Sequence, residues 1–275
     1  TDRPDDYVIT KSFEANPWSS LFDFADEDQR YDRDYSENIM YLGGFGQAEY
    51  KKDGFSAFLQ GALSTQSYQR EGRLAGVGDG LGKSEKLDKV GYNIKGGAGY
   101  KINEQHAVFV NAGTYSRQPF LDNVFANIRY SNELVSPDVD NEEIIGFEGG
   151  YRFQSSSFRF NLDVYNTEWG NRFLAVNGPR LDNDETSTYR LTDVTQVHRG
   201  VEFDMEYRPI ASRFSLRAYG SLGNWKYDGS TPYTLQNDDT GDFLITDGNV
   251  DLTDVKIGNA PQTSFGVGIS GKIAK

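Results

Sequence analysis

The sequence predicts an all-β protein, an antiparallel transmembrane β-barrel, on three observations. Apolar and polar residues alternate with a period of two over long segments, short turns alternate with long connections, and aromatic rings gather at the turn ends. Composition agrees: 14% of the 275 residues are aromatic, and 30 Gly stand against 2 Met, the bias of pleated sheet rather than packed helices. A hydrophobic fraction of 37% excludes disorder along the whole chain. No apolar run approaches the roughly 20 residues of a membrane helix. The mean hydropathy of -0.64 is that of a soluble protein, yet it does not exclude a barrel whose strands are apolar on one face only, so hydropathy does not decide between the two.

Taken in order, residues 1–37 read as a long acidic extracellular loop and residues 38–275 as hairpins of a single barrel portion. The first hairpin runs from about Asn38 to Tyr50 and from Phe55 to Arg70 around Lys51-Lys52-Asp53-Gly54. In the second, Tyr92, Ile94, Gly96, Ala98, Tyr100 and Ile102 alternate with Asn93, Lys95, Gly97, Gly99 and Lys101. It turns at Asn103-Glu104-Gln105 and returns from His106 to Arg117. The third sets Ile145, Phe147, Tyr151 and Phe153 against Glu148 and Arg152, then Phe158, Phe160, Leu162 and Val164 against Arg159, Asn161 and Asp163. The fourth sets Val201, Phe203, Met205 and Tyr207 against Glu202, Asp204, Glu206 and Arg208, turns at Pro209-Ile210-Ala211-Ser212, and returns through Phe214, Leu216 and Ala218. Phe265, Val267, Ile269 and Ile273 mark a last strand, giving about nine long strands.

Turns of about four residues contrast with connections at about 71–90, 118–140, 173–196 and 229–261. A soluble sandwich carries similar loops at both ends, whereas an outer-membrane barrel has short periplasmic turns and long extracellular loops. Strands of 12 or more residues, at about 3.3 Å each and tilted near 45°, also rise past the roughly 25 Å apolar band. Tyr50, Phe55, Tyr100, Tyr151, Phe153, Phe158, Tyr207 and Phe214 lie at the turn ends, where a periplasmic aromatic girdle belongs.

A net charge of -13 repels a phosphate backbone and argues against nucleic acid as a partner. With no cysteine and only 2 histidines, thiolate metal sites and cysteine nucleophiles are excluded, and no metal site or cofactor is expected. The run Asn237-Asp238-Asp239-Thr240-Gly241-Asp242 lacks the ligand spacing of a calcium loop and reads as a solvated loop, as does the acidic N-terminal stretch. Gly76-Val77-Gly78-Asp79-Gly80-Leu81-Gly82 has no helix after it to complete a phosphate cradle. Inward Glu148, Arg152, Arg159, Asp163, Glu202, Asp204, Glu206 and Arg217 read as a lumen charge ladder rather than a catalytic set, and no enzyme is expected. The candidate ligand contacts are Trp169, Arg172, Phe173, Tyr189, Arg190, Trp225 and Tyr227, where rings and guanidinium groups can stack on a ligand and pair with anions. An upper aromatic girdle is an equal alternative for Trp169 and Trp225.

Strand-entry and strand-exit patterns carry a family resemblance. Thr114-Tyr115-Ser116-Arg117-Gln118-Pro119-Phe120-Leu121-Asp122-Asn123-Val124-Phe125, Asn141-Glu142-Glu143, Asp163-Val164-Tyr165-Asn166-Thr167-Glu168-Trp169, His198-Arg199-Gly200-Val201-Glu202 and Gly258-Asn259-Ala260-Pro261 together resemble the barrel of TonB-dependent outer-membrane receptors, particularly those of Bacteroidota. The resemblance spans about residues 40 to 272. It implies a 22-stranded barrel in the bacterial outer membrane, among lipid and lipopolysaccharide, with an N-terminal plug whose segment engages TonB to drive active import. The nutrient could be a siderophore, cobalamin, glycan or peptide, and a surface lipoprotein is a further implied partner. Neither plug nor TonB-contacting segment is visible in these residues, and nine strands do not make the even number of a bacterial barrel, so the chain is expected to be part of a longer protein. A passive porin or a barrel anchoring a surface assembly is the alternative, and an outer-membrane hydrolase a third.

Overall fold

A computed structural model describes residues 34–74, 80–135, 138–210 and 213–271, together with Trp18. The acidic N-terminal stretch through Asp32, most of the Gly76–Gly82 run and the last four residues lie outside the described residues. The strands are β1 (Tyr35–Lys52), β2 (Phe55–Gly72), β3 (Gly82–Lys83), β4 (Leu87–Lys101), β5 (His106–Arg117), β6 (Glu142–Gln154), β7 (Phe158–Asn177), β8 (Ser187–Tyr207), β9 (Phe214–Asp228), β10 (Ser230–Asn237), β11 (Phe243–Asp251) and β12 (Thr263–Gly271). A single-turn helix, α1 (Leu121–Val124), sits between β5 and β6.

All the pairings are antiparallel. They form one continuous ladder, β1-β2-β4-β5-β6-β7-β8-β9-β12. These are the nine strands expected from the alternation. Among the described residues β1 does not pair with β12, so this portion is an open wall rather than a closed barrel. The first turn shows why the hairpins are tight. Lys52 pairs with Phe55, leaving Asp53 (φ 47°) and Gly54 (φ 86°) as the two loop residues, both left-handed, as the hairpin turn that matches strand twist requires.

Register fixes the faces. Phe160 opposes Met205, Leu162 opposes Phe203 and Val164 opposes Val201, while Arg159 opposes Glu206, Asn161 opposes Asp204 and Asp163 opposes Glu202. Because side chains alternate strictly, the apolar set shares one face and the polar set the other. The apolar face continues across the wall through Leu59, Leu63, Val110 and Val267, each more than 60% exposed. A contiguous apolar band of this extent is not tolerated in water and is satisfied by lipid. At its turn end the rings associate, Tyr50 with Phe55 at 6.3 Å and Phe153 with Phe158 at 5.9 Å, and His106 Nδ1 lies 2.6 Å from the Tyr151 hydroxyl.

Two of the expected long connections are shorter than the sequence suggested. β7 and β8 continue as paired strands to Asn177 and from Ser187, so the connection expected at 173–196 shrinks to residues 178–186. The connection expected at 229–261 contains the β10–β11 hairpin, whose β10 pairs onto β8. Alternation fails to show the first extension because β7 and β8 slip register between Trp169 and Arg172 and again between Arg172 and Leu174. Asn171 (φ 54°) and Asp193 (φ 59°) occupy the left-handed region there, where short polar side chains are tolerated.

Candidate functional site

The polar face carries a charge ladder low in the wall. Arg152 pairs with Asp163 at 2.8 Å, Arg159 with Glu206 at 3.2 Å, and Arg217 also reaches Glu206 at 3.4 Å. Asn111 donates to Glu148 at 3.3 Å and Ser221 to Glu202 at 3.3 Å. These side chains are cross-strand neighbours and hold one another.

Above the ladder the same face bears aromatic rings and arginines. Trp169, Gln196 and Tyr227 are neighbours across β7, β8 and β9, and Thr167, His198 and Trp225 form the next row down. Trp225 donates its indole N–H to Tyr165 Oη at 2.9 Å, and its ring centre lies 5.6 Å from that of His198. Arg172 lies 5.2 Å over the Trp169 ring and Arg117 5.9 Å over it. Both arginines also reach buried Glu142, Arg117 at 2.6 Å and Arg172 at 3.2 Å, and Arg172 donates to Gln196 Oε1. The Arg117 contact is an ion pair without an aligned hydrogen bond at Glu142 Oε2. Two cations thus compensate one buried carboxylate. The register slip brings Arg172 beside Trp169, two positions that strict alternation would set on opposite faces. Trp169 and Trp225 therefore lie on the polar face and not in an outer lipid-facing girdle.

The connection between β5 and β6 folds back onto this face. Leu121, Val124 and Phe125 pack against Tyr68 of β2 in a buried cluster, and the Tyr68 hydroxyl donates to Pro119 O at 2.6 Å. Arg70, 1% exposed, donates from Nε to Ile128 O at 2.7 Å, from Nη1 to Gly80 O at 2.9 Å and Asn132 Oδ1 at 2.7 Å, and from Nη2 to Arg129 O at 3.1 Å. From the other side Arg190 of β8 donates to Ala126 O and, from Nε, to Gln236 Oε1 at 3.0 Å. Burial lowers the Arg190 pKa from its ordinary value, and Asp238 opposes that shift. The Gln118 amide donates to Ser64 Oγ at 2.9 Å and lies where a side chain at position 91 would stand, so Gly91 admits it. Residues 118–135 thus form a strap, tied back to β2 and forward to β8.

Between the strap and the outer ends of β7, β8 and β10 lies a cleft of about 660 Å³. That volume falls in the range of small-molecule sites, roughly 300–1,000 Å³. The strap contributes Asp122, Asn123, Asn127, Arg129 and Tyr130, and the strands contribute Phe173, Asn177, Thr188 and Arg190. Of the residues expected from sequence, Phe173 and Arg190 come together here, while Trp169, Arg172, Trp225 and Tyr227 belong to the rows beneath. Tyr189 lines neither and packs edge-on against Tyr233 at 5.5 Å. Sequence reasoning missed the strap, although Leu121, Val124 and Phe125 carry the i, i+3, i+4 spacing of a helical turn. The acidic run after Gln236 proves to be the β10–β11 turn, in which Asn237 Oδ1 accepts from the backbone of Asp239 at 2.9 Å.

The family model for the β-barrel of TonB dependent receptor-like proteins matches residues 2–271. Among solved structures, the copper transporter OprC is similar in fold, with a TM-score of 0.56 and 11% sequence identity over 85% of this chain. The match spans 40% of the OprC chain. No curated protein matches the sequence. With a wall of this register and a match running almost from end to end, the chain belongs to the TonB dependent receptor-like β-barrel family, whose members reside in the outer membrane of Gram-negative bacteria.

Proposed function

We propose that this chain is the barrel portion of an importer that takes a polar nutrient from outside the cell and is driven through TonB. The observation that carries the reading is the strap-bounded cleft, which opens on the polar face directly above the Trp169 and Trp225 rows. A ligand held there would lie inside the mouth, in line with the charged wall below, rather than on the outer surface. Family membership supports the energy coupling, since TonB serves receptors of this kind. The contacts we assign are Phe173 and Arg190 in the cleft and Trp169, Arg172, Trp225 and Tyr227 beneath it, where flat rings and cations suit a hydroxylated or partly anionic ligand. Tyr189 supports the β8–β10 pairing instead. The copper named for OprC does not extend to this chain, because the likeness is one of fold.

The test is comparative depletion. Cells carrying the complete gene and cells deleted for it are grown in the same medium, and the medium is profiled over time. The reading predicts at least one polar solute that only the gene-bearing cells remove; identical profiles across nutrient-limited media would overturn it.

A further inference from the structure

The cleft is locally basic in an otherwise acidic protein. Its lining holds Arg129, Arg180 and Arg190 against Asp122 and Asp238, a net of +1 (3 minus 2), while the whole chain carries -13. The three guanidinium groups are not equally available. Arg190 donates to Ala126 O and Gln236, and Arg180 pairs with Asp184 at 2.8 Å. Arg129 is exposed, and among the described residues its guanidinium has no hydrogen-bond or ion-pair partner. Its backbone, by contrast, is held from both sides: the N–H donates to Asn127 Oδ1 at 3.1 Å and the carbonyl accepts from Arg70 Nη2 at 3.1 Å. A fixed backbone carrying an unspent cation into a cleft leaves only the side chain to be ordered when an anion is captured, and the charge-assisted hydrogen bonds formed offset that cost.

We propose that Arg129, held at the cleft by the Arg70-pinned strap, binds a carboxylate or phosphate group of the imported ligand. The proposal rests on the import reading and adds the ligand's charge. Arg70 is a positioning residue: it holds Arg129 through its carbonyl. Arg190 holds the neighbouring carbonyl of Ala126 in the same way.

The test is arginine footprinting on the full-length protein purified in detergent. Phenylglyoxal modification is followed by mass spectrometry at Arg129 and at exposed Arg213, which lies at the opposite, turn end of the wall. The probes are citrate and inorganic phosphate. The proposal predicts that Arg129 reacts readily without either anion and that one of them slows it by about tenfold at ten times the half-protecting concentration, as saturable occupancy requires. The rate at Arg213 stays unchanged. Equal effects at both arginines, or an Arg129 that is unreactive from the outset, would overturn it. A second arm adds lipopolysaccharide in place of the free anions; protection of Arg129 by lipopolysaccharide alone would assign the group to lipid headgroups and also overturn it. Arg70→Met should abolish the selective protection while leaving Arg129 reactive, with retained heat-modifiable migration on gels showing a folded barrel. Gln118→Ala loosens the same strap at Ser64 without removing a charge and should weaken the protection. Protection intact in both folded variants would refute the strap's part. Loss of the anion effect leaves the depletion profiles as they were, so failure here and failure of the import reading are distinct results.

Discussion

Arginine placed at Val164 should be far more costly than arginine at Asn161, three residues away on the same strand. Val164 is six residues into β7 from Phe158, so at about 3.3 Å per residue and a tilt near 40° it lies roughly 15 Å above the turn end, close to the middle of an apolar band about 25 Å tall. It opposes Gly149 and Val201 on the apolar face and is 50% exposed, with only lipid to cover it. A guanidinium there costs about 2–4 kcal/mol at the bilayer midplane. Asn161 is on the polar face, where its amide donates to Asp204 Oδ2 at 2.5 Å and where Arg152 is its cross-strand neighbour. An arginine at that position gains the Asp204 carboxylate and loses to Arg152, for a net effect within about 1 kcal/mol. The assay is a urea titration of reversible folding into lipid vesicles with the complete protein. The expected gap between the two variants is a factor of about 30 to 900 in the folding constant, if Asn161→Arg is neutral. Equal costs at both positions would refute the assignment of faces, and with it the barrel wall.

Three further outcomes follow from the upper wall. Arg70→Met leaves the carbonyls of Gly80, Ile128 and Arg129 without a charged donor, a loss of about 3 kcal/mol or more concentrated in the strap; trypsin should then cut after Arg129 much faster while the strands stay protected. In Gly91→Val the Gln118 amide, within 2.7 Å of the first added carbon, must swing away and give up its bond to Ser64 Oγ, which should cost about 1 kcal/mol in thermal melts, and in a Gln118→Ala background Gly91→Val should cost less. Asn171→Val forces a β-branched residue into a left-handed conformation and should cost about 1–2 kcal/mol in the same melts, whereas Asn171→Gly should be neutral or stabilising.

The lower wall was legible in the sequence because membrane and lumen impose opposite demands on alternate residues. Phe160, Leu162 and Val164 against Arg159, Asn161 and Asp163 leave one reading of the register, and the structure has it. Beyond the membrane that constraint lapses. β7 and β8 extend to Asn177 and from Ser187 with both faces in water or against loops, so their sequences lose period and read as a connection. The bulges at Asn171 and Asp193 erase the remaining signal, which is why Arg172 beside Trp169 was invisible as a neighbour. The strap was hidden for another reason. Its buried cluster joins Tyr68 to Phe125 across a long stretch of chain, and Arg70 looks in sequence like any lumen arginine. Its role is set by carbonyls, which every residue has. Nothing in the sequence separates Arg129 from Arg172 or Arg190; only the partners each has already taken do so.

The central claim, active import, is tested most directly by uptake of the solute that depletion profiling identifies. Accumulation is followed with isotopically labelled solute in cells with and without TonB, and with a protonophore added to cells that retain it. The account predicts that accumulation against a gradient ceases when either TonB or the proton gradient is removed, while binding to the outer membrane persists. Accumulation that continues unchanged in both conditions would contradict it and make the barrel a passive pore.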